Sequence, residues 1–203
     1  MKRALIVIGA IVGLAVVVIG VRYYLQTQRA KKAGILSESI VKQGDTWKVD
    51  FTARIPAAEK DVFGAIENVE DAPKYSSGIK DVKVLSKEDN KKTVEMQLEG
   101  GFGGQQPPLD MQFEYHPDQG KITSSTINNP FQQTTSEYDL KDEGGSTLID
   151  YHQSTKIMVQ LPVPEAVVKQ FMRNLFIAQL EGIKTRLHVT TPEADEEEEK
   201  DEP

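Results

Sequence analysis

The sequence predicts an α+β fold: a seven-stranded antiparallel sheet wrapped around a long C-terminal helix, behind an N-terminal transmembrane helix. Three observations carry this. Ala4 to Val21 is an unbroken run without a charged or polar side chain. Segments of alternating apolar and polar residues follow, most joined by hairpin-length turns. The last periodic segment repeats with helical spacing over more than twenty residues.

The apolar run follows Lys2-Arg3 and precedes Arg22, Tyr23 and Tyr24, an interfacial belt. As a helix it would span roughly 27 Å, close to the hydrocarbon thickness of a bilayer. A cleaved signal peptide is the competing reading, but its apolar core is usually about 7–15 residues and ends in small residues. The run is longer, and no good Ala-x-Ala follows. Residues 1–25 therefore read as an uncleaved signal anchor, with residues 4–21 in the membrane. Basic residues on the far flank favour a cytoplasmic domain, whereas the charged N-terminus resists translocation, so the side stays open.

Residues 26–44 are polar and read as a tether. Trp47, Val49, Phe51, Ala53 and Ile55 alternate with polar neighbours in the first strand, which Pro56 ends. A helix over 57–69 places Val62, Ile66 and Val69 on one stripe, with Phe63 beside it. Pro73 breaks the chain near a short turn at 72–77. Strands then run through Val82 and Val84, through Val94, Met96 and Leu98, and through Leu109, Met111, Phe113 and Tyr115. Three more cover 121–127, 132–141 and 146–159. Turn residues separate them, among them Asn128-Asn129-Pro130 and Asp142-Glu143-Gly144-Gly145. Leu161-Pro-Val-Pro164 leads into the last helix, which reaches Leu187. On a helical wheel Val168, Phe171, Met172, Leu175, Gln179 and Ile183 share one face, while Glu181, Lys184 and His188 lie opposite. Residues 45–189 form one domain, and the acidic tail 190–203 is expected to be disordered.

Composition excludes several chemistries. Without cysteine there is no disulfide scaffold, thiol nucleophile, cysteine-bound metal or lipoprotein anchor. Residues 1–34 carry six basic and no acidic groups, and residues 190–203 carry eight acids and one lysine. The body between them is mildly acidic and lacks a basic stripe, which argues against a nucleic-acid partner. The three histidines have no metal-site spacing. Asp150, His152 and Ser154 share one strand face but lack a nucleophile elbow, and read as a solvated surface. No residue is assigned a catalytic or metal-binding role, and no cofactor is expected.

The stretch Phe51-Thr-Ala-Arg-Ile-Pro-Ala-Ala-Glu-Lys-Asp-Val-Phe63 resembles the first strand and helix of the START-like, Bet v 1-type (SRPBCC) superfamily. Tyr138-Asp-Leu, Gly144-Gly-Ser-Thr-Leu148 and Pro162-Val-Pro164 with the following helix are similar too. That superfamily includes polyketide cyclase/dehydrase proteins and coenzyme-Q-binding proteins. The resemblance spans residues 46–188 and implies a helix-grip fold with an apolar cavity between sheet and helix. It implies as partner a lipid or other hydrophobic small molecule; the alternatives are a cyclase/dehydrase-type enzyme and a ligand-free interaction module. A protein partner stays unidentified.

Cavity-lining candidates follow from the inward faces: Met111, Phe113, Tyr138, Tyr151, Gln153, Val168, Phe171, Met172, Leu175 and Gln179. Thr134, Ser136, Tyr138 and Leu140 share one face, as do Thr147, Ile149, Tyr151, Gln153, Thr155 and Ile157. Such a mix of hydroxyl, amide and aromatic groups suits a cavity wall or a partly solvated edge. Gln179 is an amide within an apolar stripe. It either points to a ligand or is satisfied by a sheet residue, since a buried amide without a partner costs about 1–3 kcal/mol. Phe102, in the glycine-rich loop 100–108, is either a cavity flap or folded back on the sheet.

Overall fold

The computed structural model describes residues 25, 27–75, 78–98, 108–159 and 163–190. The anchor at 4–21, Phe102 with its loop, and the acidic tail beyond Thr190 lie outside the described residues. Among the described residues no helix is long and apolar enough to cross a membrane.

The sheet has eight antiparallel strands, not seven, in the order β1-β2-β8-β7-β6-β5-β4-β3. These are β1 (Ile35–Gln43), β2 (Thr46–Ile55), β3 (Ile79–Lys87), β4 (Lys91–Leu98), β5 (Leu109–His116), β6 (Lys121–Ile127), β7 (Gln132–Asp142) and β8 (Thr147–Ile157). Helix α1 is described at 27–33. Helices α2 (Glu59–Glu67) and α3 (Ala72–Tyr75) connect β2 to β3, and α4 (Glu165–Leu187) closes the concave face.

The extra strand corrects the reading of 26–44 as a tether. β1 pairs with β2 along its length, from Ile35 opposite Ala53 to Gln43 opposite Thr46. It escaped detection because only Ile40 is buried, so no alternation marks it. Its pairing uses backbone groups, which any sequence supplies. Upstream, Ala30 and Ala33 are buried and seat α1 on the domain. Gly34 makes the corner between α1 and β1. Its φ is +96°, and a Cβ there would stand 2.3 Å from the Arg54 carbonyl oxygen, so only glycine fits.

Strand β2 follows the expected period-two pattern: Trp47, Val49, Phe51, Ala53 and Ile55 are all buried. On α4 the predicted apolar stripe faces the sheet across a gap. A second face, with Phe176, Ile177, Leu180 and Lys184, is buried as well. Lys184, expected on the solvent side, sits under α1 and donates to the Lys32 carbonyl. Burial pushes its pKa below the ordinary lysine value. Phe176 stacks between Phe51, with ring centroids 4.2 Å apart, and Tyr151 at 4.8 Å. His188 ends α4 in the left-handed conformation, φ 54°, a cap for the last carbonyls.

Lys92 ties β4 to the segment after α2. Its side chain is 4 % exposed, and its ammonium donates to Glu70 Oε2 at 2.7 Å and to the Glu67 carbonyl at 2.9 Å. Burial alone would raise the Glu70 carboxyl, but the hydrogen bond and charge of Lys92 hold it below its ordinary 4.5. Glu70→Ala strands a buried cation and is expected to cost about 1–2 kcal/mol, discounted because Glu70 is partly exposed. A depressed carboxylate contributes stability above its unfolded pKa and loses it as pH falls through the folded value. Urea unfolding should therefore separate Glu70→Ala from the parent at pH 7 and bring them together near pH 3.

Candidate functional site

A cavity of about 450 Å³ lies between α4 and the sheet. Its roof is Val168, Phe171, Met172, Leu175 and Gln179 of α4. One wall is apolar: Met96 and Leu98 of β4 with Leu109, Met111 and Phe113 of β5. The other wall is built by β6, β7 and β8 and is rich in hydroxyl and amide groups. Alternation explains the division, since every second residue of each strand faces inward and the inward residues of β4 and β5 are the large apolar ones.

The polar wall is internally bonded. Ser124 Oγ and Ser136 Oγ are 2.8 Å apart, and Thr134 Oγ1 and Thr155 Oγ1 are 3.0 Å apart. The Tyr151 hydroxyl donates to Gln153 Oε1, and Gln153 Nε2 donates to Thr155 Oγ1 at 2.7 Å. Tyr138 lies against Tyr151 with ring centroids 4.6 Å apart. Burial pushes both hydroxyls above the ordinary tyrosine value. Both therefore stay protonated and act as donors at neutral pH.

All ten sequence-derived candidates line this cavity. Gln179 has a sheet partner: the Tyr138 hydroxyl donates to its Oε1 at 3.0 Å. That bond turns the amide nitrogen away from Tyr138, and among the described residues nothing accepts from it. Gln179 and Tyr138, with Met96 and Phe113, also line a smaller void of about 90 Å³ toward α2 and α3, which Ile183 and Arg186 bound. The pair thus stands between two chambers. Sequence reasoning did not identify Phe131 and Val159, which line the opposite end of the main cavity. Phe131 lies in the connection between β6 and β7, where no periodicity points it inward, whereas Val159 continues the inward period of Thr147 to Ile157 two residues past the end of β8.

Histidine and carboxylate groups are absent from the described lining of the main cavity. His152 sits on the outer face, its Nδ1 2.7 Å from Asp50 Oδ1. Ser154 accepts from Lys48, and Asp150 accepts from Thr52 and Lys141. Each member of that trio is paired separately across the sheet, as a solvated face requires.

No curated protein matches the chain. Solved structures match its fold. The Zhui aromatase/cyclase from Streptomyces sp. R1128 is 10% identical, with a TM-score of 0.60 over 70% of this chain and 94% of that one. A START superfamily protein from Mycobacterium smegmatis is 18% identical, with a TM-score of 0.56 over 70% and 97%. A STAR-related lipid transfer protein from Xanthomonas axonopodis is 12% identical, with a TM-score of 0.56 over 75% and 99%. These likenesses establish the helix-grip architecture. Residues 55–184 match the family described as polyketide cyclase / dehydrase and lipid transport, from the end of β2 to the last turn of α4. With well over half of its length inside that match, the chain belongs to the polyketide cyclase/dehydrase and lipid transport family.

Proposed function

We propose that this protein is a single-pass membrane-anchored carrier that holds one hydrophobic small molecule or single-chain lipid in the cavity under α4, without transforming it. The observation that carries the reading is the two-sided cavity. Its volume of about 450 Å³ lies within the range of about 300–1,000 Å³ that takes one drug-sized ligand. Apolar burial against α4, β4 and β5 supplies affinity, about 25 cal/mol per Å² before the costs of binding. The hydroxyl wall and the Gln179 amide supply orientation. A carrier rather than an enzyme is supported by the lining. Among its described residues Tyr138 and Tyr151 are the titratable groups, and burial holds both protonated, which suits neither for proton abstraction at neutral pH.

Anchoring adds local concentration. A cavity tethered beside a bilayer samples lipid-dissolved molecules without needing any new contact.

The test is native mass spectrometry with lipid extraction on the full chain. A co-purifying lipid, quinone or sterol near one per chain is expected. Protein that emerges empty and takes up no fluorescent fatty-acid probe would overturn the reading in favour of an interaction module. Gln179→Leu refines it. If the amide nitrogen bonds an acceptor on the ligand, the affinity for that ligand falls about five- to ten-fold, the worth of one hydrogen bond. A stability change with unaltered affinity would leave Gln179 as a partner of Tyr138 alone.

A further inference from the structure

The main cavity has a smaller neighbour. The void of about 90 Å³ toward α2 and α3 shares Met96, Phe113, Tyr138 and Gln179 with the chamber of about 450 Å³. Tyr138 of β7 and Gln179 of α4 meet across the gap, hydroxyl to Oε1 at 3.0 Å, and form a bar at the boundary. Met96 of β4 and Phe113 of β5 belong to both walls beside that bar. Methionine is unbranched and adapts its shape, so an alkyl chain has an apolar path from one chamber to the other.

Beyond the bar the lining is largely apolar: Ala65, Ile66, Val69, Ala72, Ile79 and Ile183. Arg186 bounds it, but its guanidinium is engaged by the protein. Nη1 donates to the Ala65 and Asn68 carbonyls at 3.2 Å each, and Nη2 lies 3.8 Å from Asp71 Oδ2. At roughly 30 Å³ for each water- or methylene-sized group, the space takes about three of them. The polar group at the boundary is the Gln179 amide. Its oxygen is taken by Tyr138, and among the described residues nothing accepts from its nitrogen. In the polar wall, by contrast, Ser124 bonds Ser136 and Thr134 bonds Thr155. An unmet donor therefore stands between a long apolar space and a short one.

We propose that the occupant is a neutral single-chain lipid with an internal carbonyl, a ketone or an ester. Its oxygen accepts from Gln179 Nε2, its long arm fills the main chamber, and a short arm of about three carbons lies beyond the bar. This rests on the carrier reading and names the ligand class for it. A terminal polar group would leave the smaller chamber empty, and an empty apolar space forfeits the contacts of its lining. A carbonyl at the middle of the chain would bring a second long arm to a space that takes only about three carbons. The described lining of the main chamber carries no charged side chain. A neutral acceptor therefore fits it better than an anion or a cation, which would lose hydration without gaining an opposite charge.

Isomeric pentadecanones test the position of the carbonyl at constant formula, so that partitioning into detergent is nearly the same for all. The full chain in a mild detergent is loaded with a fluorescent fatty acid and titrated with the isomers that carry the carbonyl at the second, fourth or eighth carbon. The fourth-carbon isomer has the three-carbon arm and should displace the probe about ten-fold more tightly than either other isomer. Each methylene moved out of apolar contact costs about three- to four-fold, and each of the other isomers misplaces at least two. Equal affinities overturn the proposal and leave the carrier reading intact, as does a probe that no isomer displaces. Tightest binding of the second-carbon isomer puts the polar group at the ligand's end and overturns it too. A probe that never binds shows that the carrier reading has failed, and the ligand class with it.

Filling the smaller chamber completes the test. Ala65→Leu does so from α2 and Ala72→Leu from α3, and calorimetric melting checks that each variant folds. In either folded variant the preference for the fourth-carbon over the second-carbon isomer should fall to about one. Ala65→Val, a smaller increase, carries the same test if both leucine variants unfold, with a partial loss of the preference expected. A preference kept near ten-fold in the folded variants would overturn the proposal, because the selection would then arise outside this chamber. A fourth-carbon ketone whose short arm ends in a carboxylate probes Arg186. Weaker binding than that of the plain ketone is expected. Tighter binding would assign the chamber to an anionic end and overturn the apolar arm.

Discussion

Phe176→Ala is expected to destabilise the domain by about 3–5 kcal/mol, the largest effect of any single truncation considered. The ring is 2 % exposed and lies between Phe51 of β2 and Tyr151 of β8, nearly parallel to both, at 13° and 26°. It is the point where α4 is seated on the sheet. Removing it deletes buried aromatic surface and leaves a void beside a cavity that already lacks packing partners, so the neighbours have little to collapse onto. Urea unfolding should show a lower midpoint with an unchanged slope. Phe176→Leu keeps most of the apolar volume and should cost about 1–2 kcal/mol. A loss below about 1 kcal/mol for the alanine variant would mean that α4 is held mainly by its polar ties to α1 and β1.

Leu175→Trp combined with Met111→Trp is expected to abolish ligand capture while leaving stability equal or raised. The two positions line the cavity from opposite sides, α4 above and β5 at the apolar wall. Two indoles placed there fill space that the ligand would occupy, and filling a void with apolar groups tends to stabilise. The affinity for a fatty-acid probe should fall at least about a hundred-fold, since the apolar burial that drives binding is already satisfied within the protein. Calorimetric melting decides between outcomes. A raised or equal midpoint with lost capture places the ligand in this chamber. An equal midpoint with capture intact shows that binding occurs elsewhere. A lowered midpoint shows overpacking, and Leu175→Phe alone, a smaller increase, then carries the same test.

The domain's periodic elements were legible because burial on one face leaves a period in the residues. β2, β4, β5, β7 and β8 each present a line of alternate inward side chains, and the α4 stripe from Val168 to Ile183 has helical spacing. The ten residues picked from those faces converge on one cavity because strands of a single sheet and the helix across it must point inward at the same place. Non-periodic parts were not legible. β1 is an edge strand with one buried residue, and charged or polar side chains along such an edge discourage pairing with other chains. Its partner β2 already showed its own pattern, and nothing in that pattern demanded a neighbour. Missing β1 and α1 caused the second error: with no cover expected over its far side, α4 read as solvated at Lys184, which is buried.

Alternation and helical spacing, then, determined by themselves the fold class, the inward residues and the end-to-end order of the domain, since each is a local consequence of which side chains avoid water. Whether the inward residues meet as a packed core or stand apart as a cavity was decided only in three dimensions. The same apolar stripe is compatible with either. The separation of α4 from the sheet is set by Phe176 stacking at one place and by α1 and β1 holding its other face, contacts between residues more than a hundred positions apart. Tertiary structure also decided that Gln179 turns its oxygen to Tyr138, a meeting in space that no local pattern encodes.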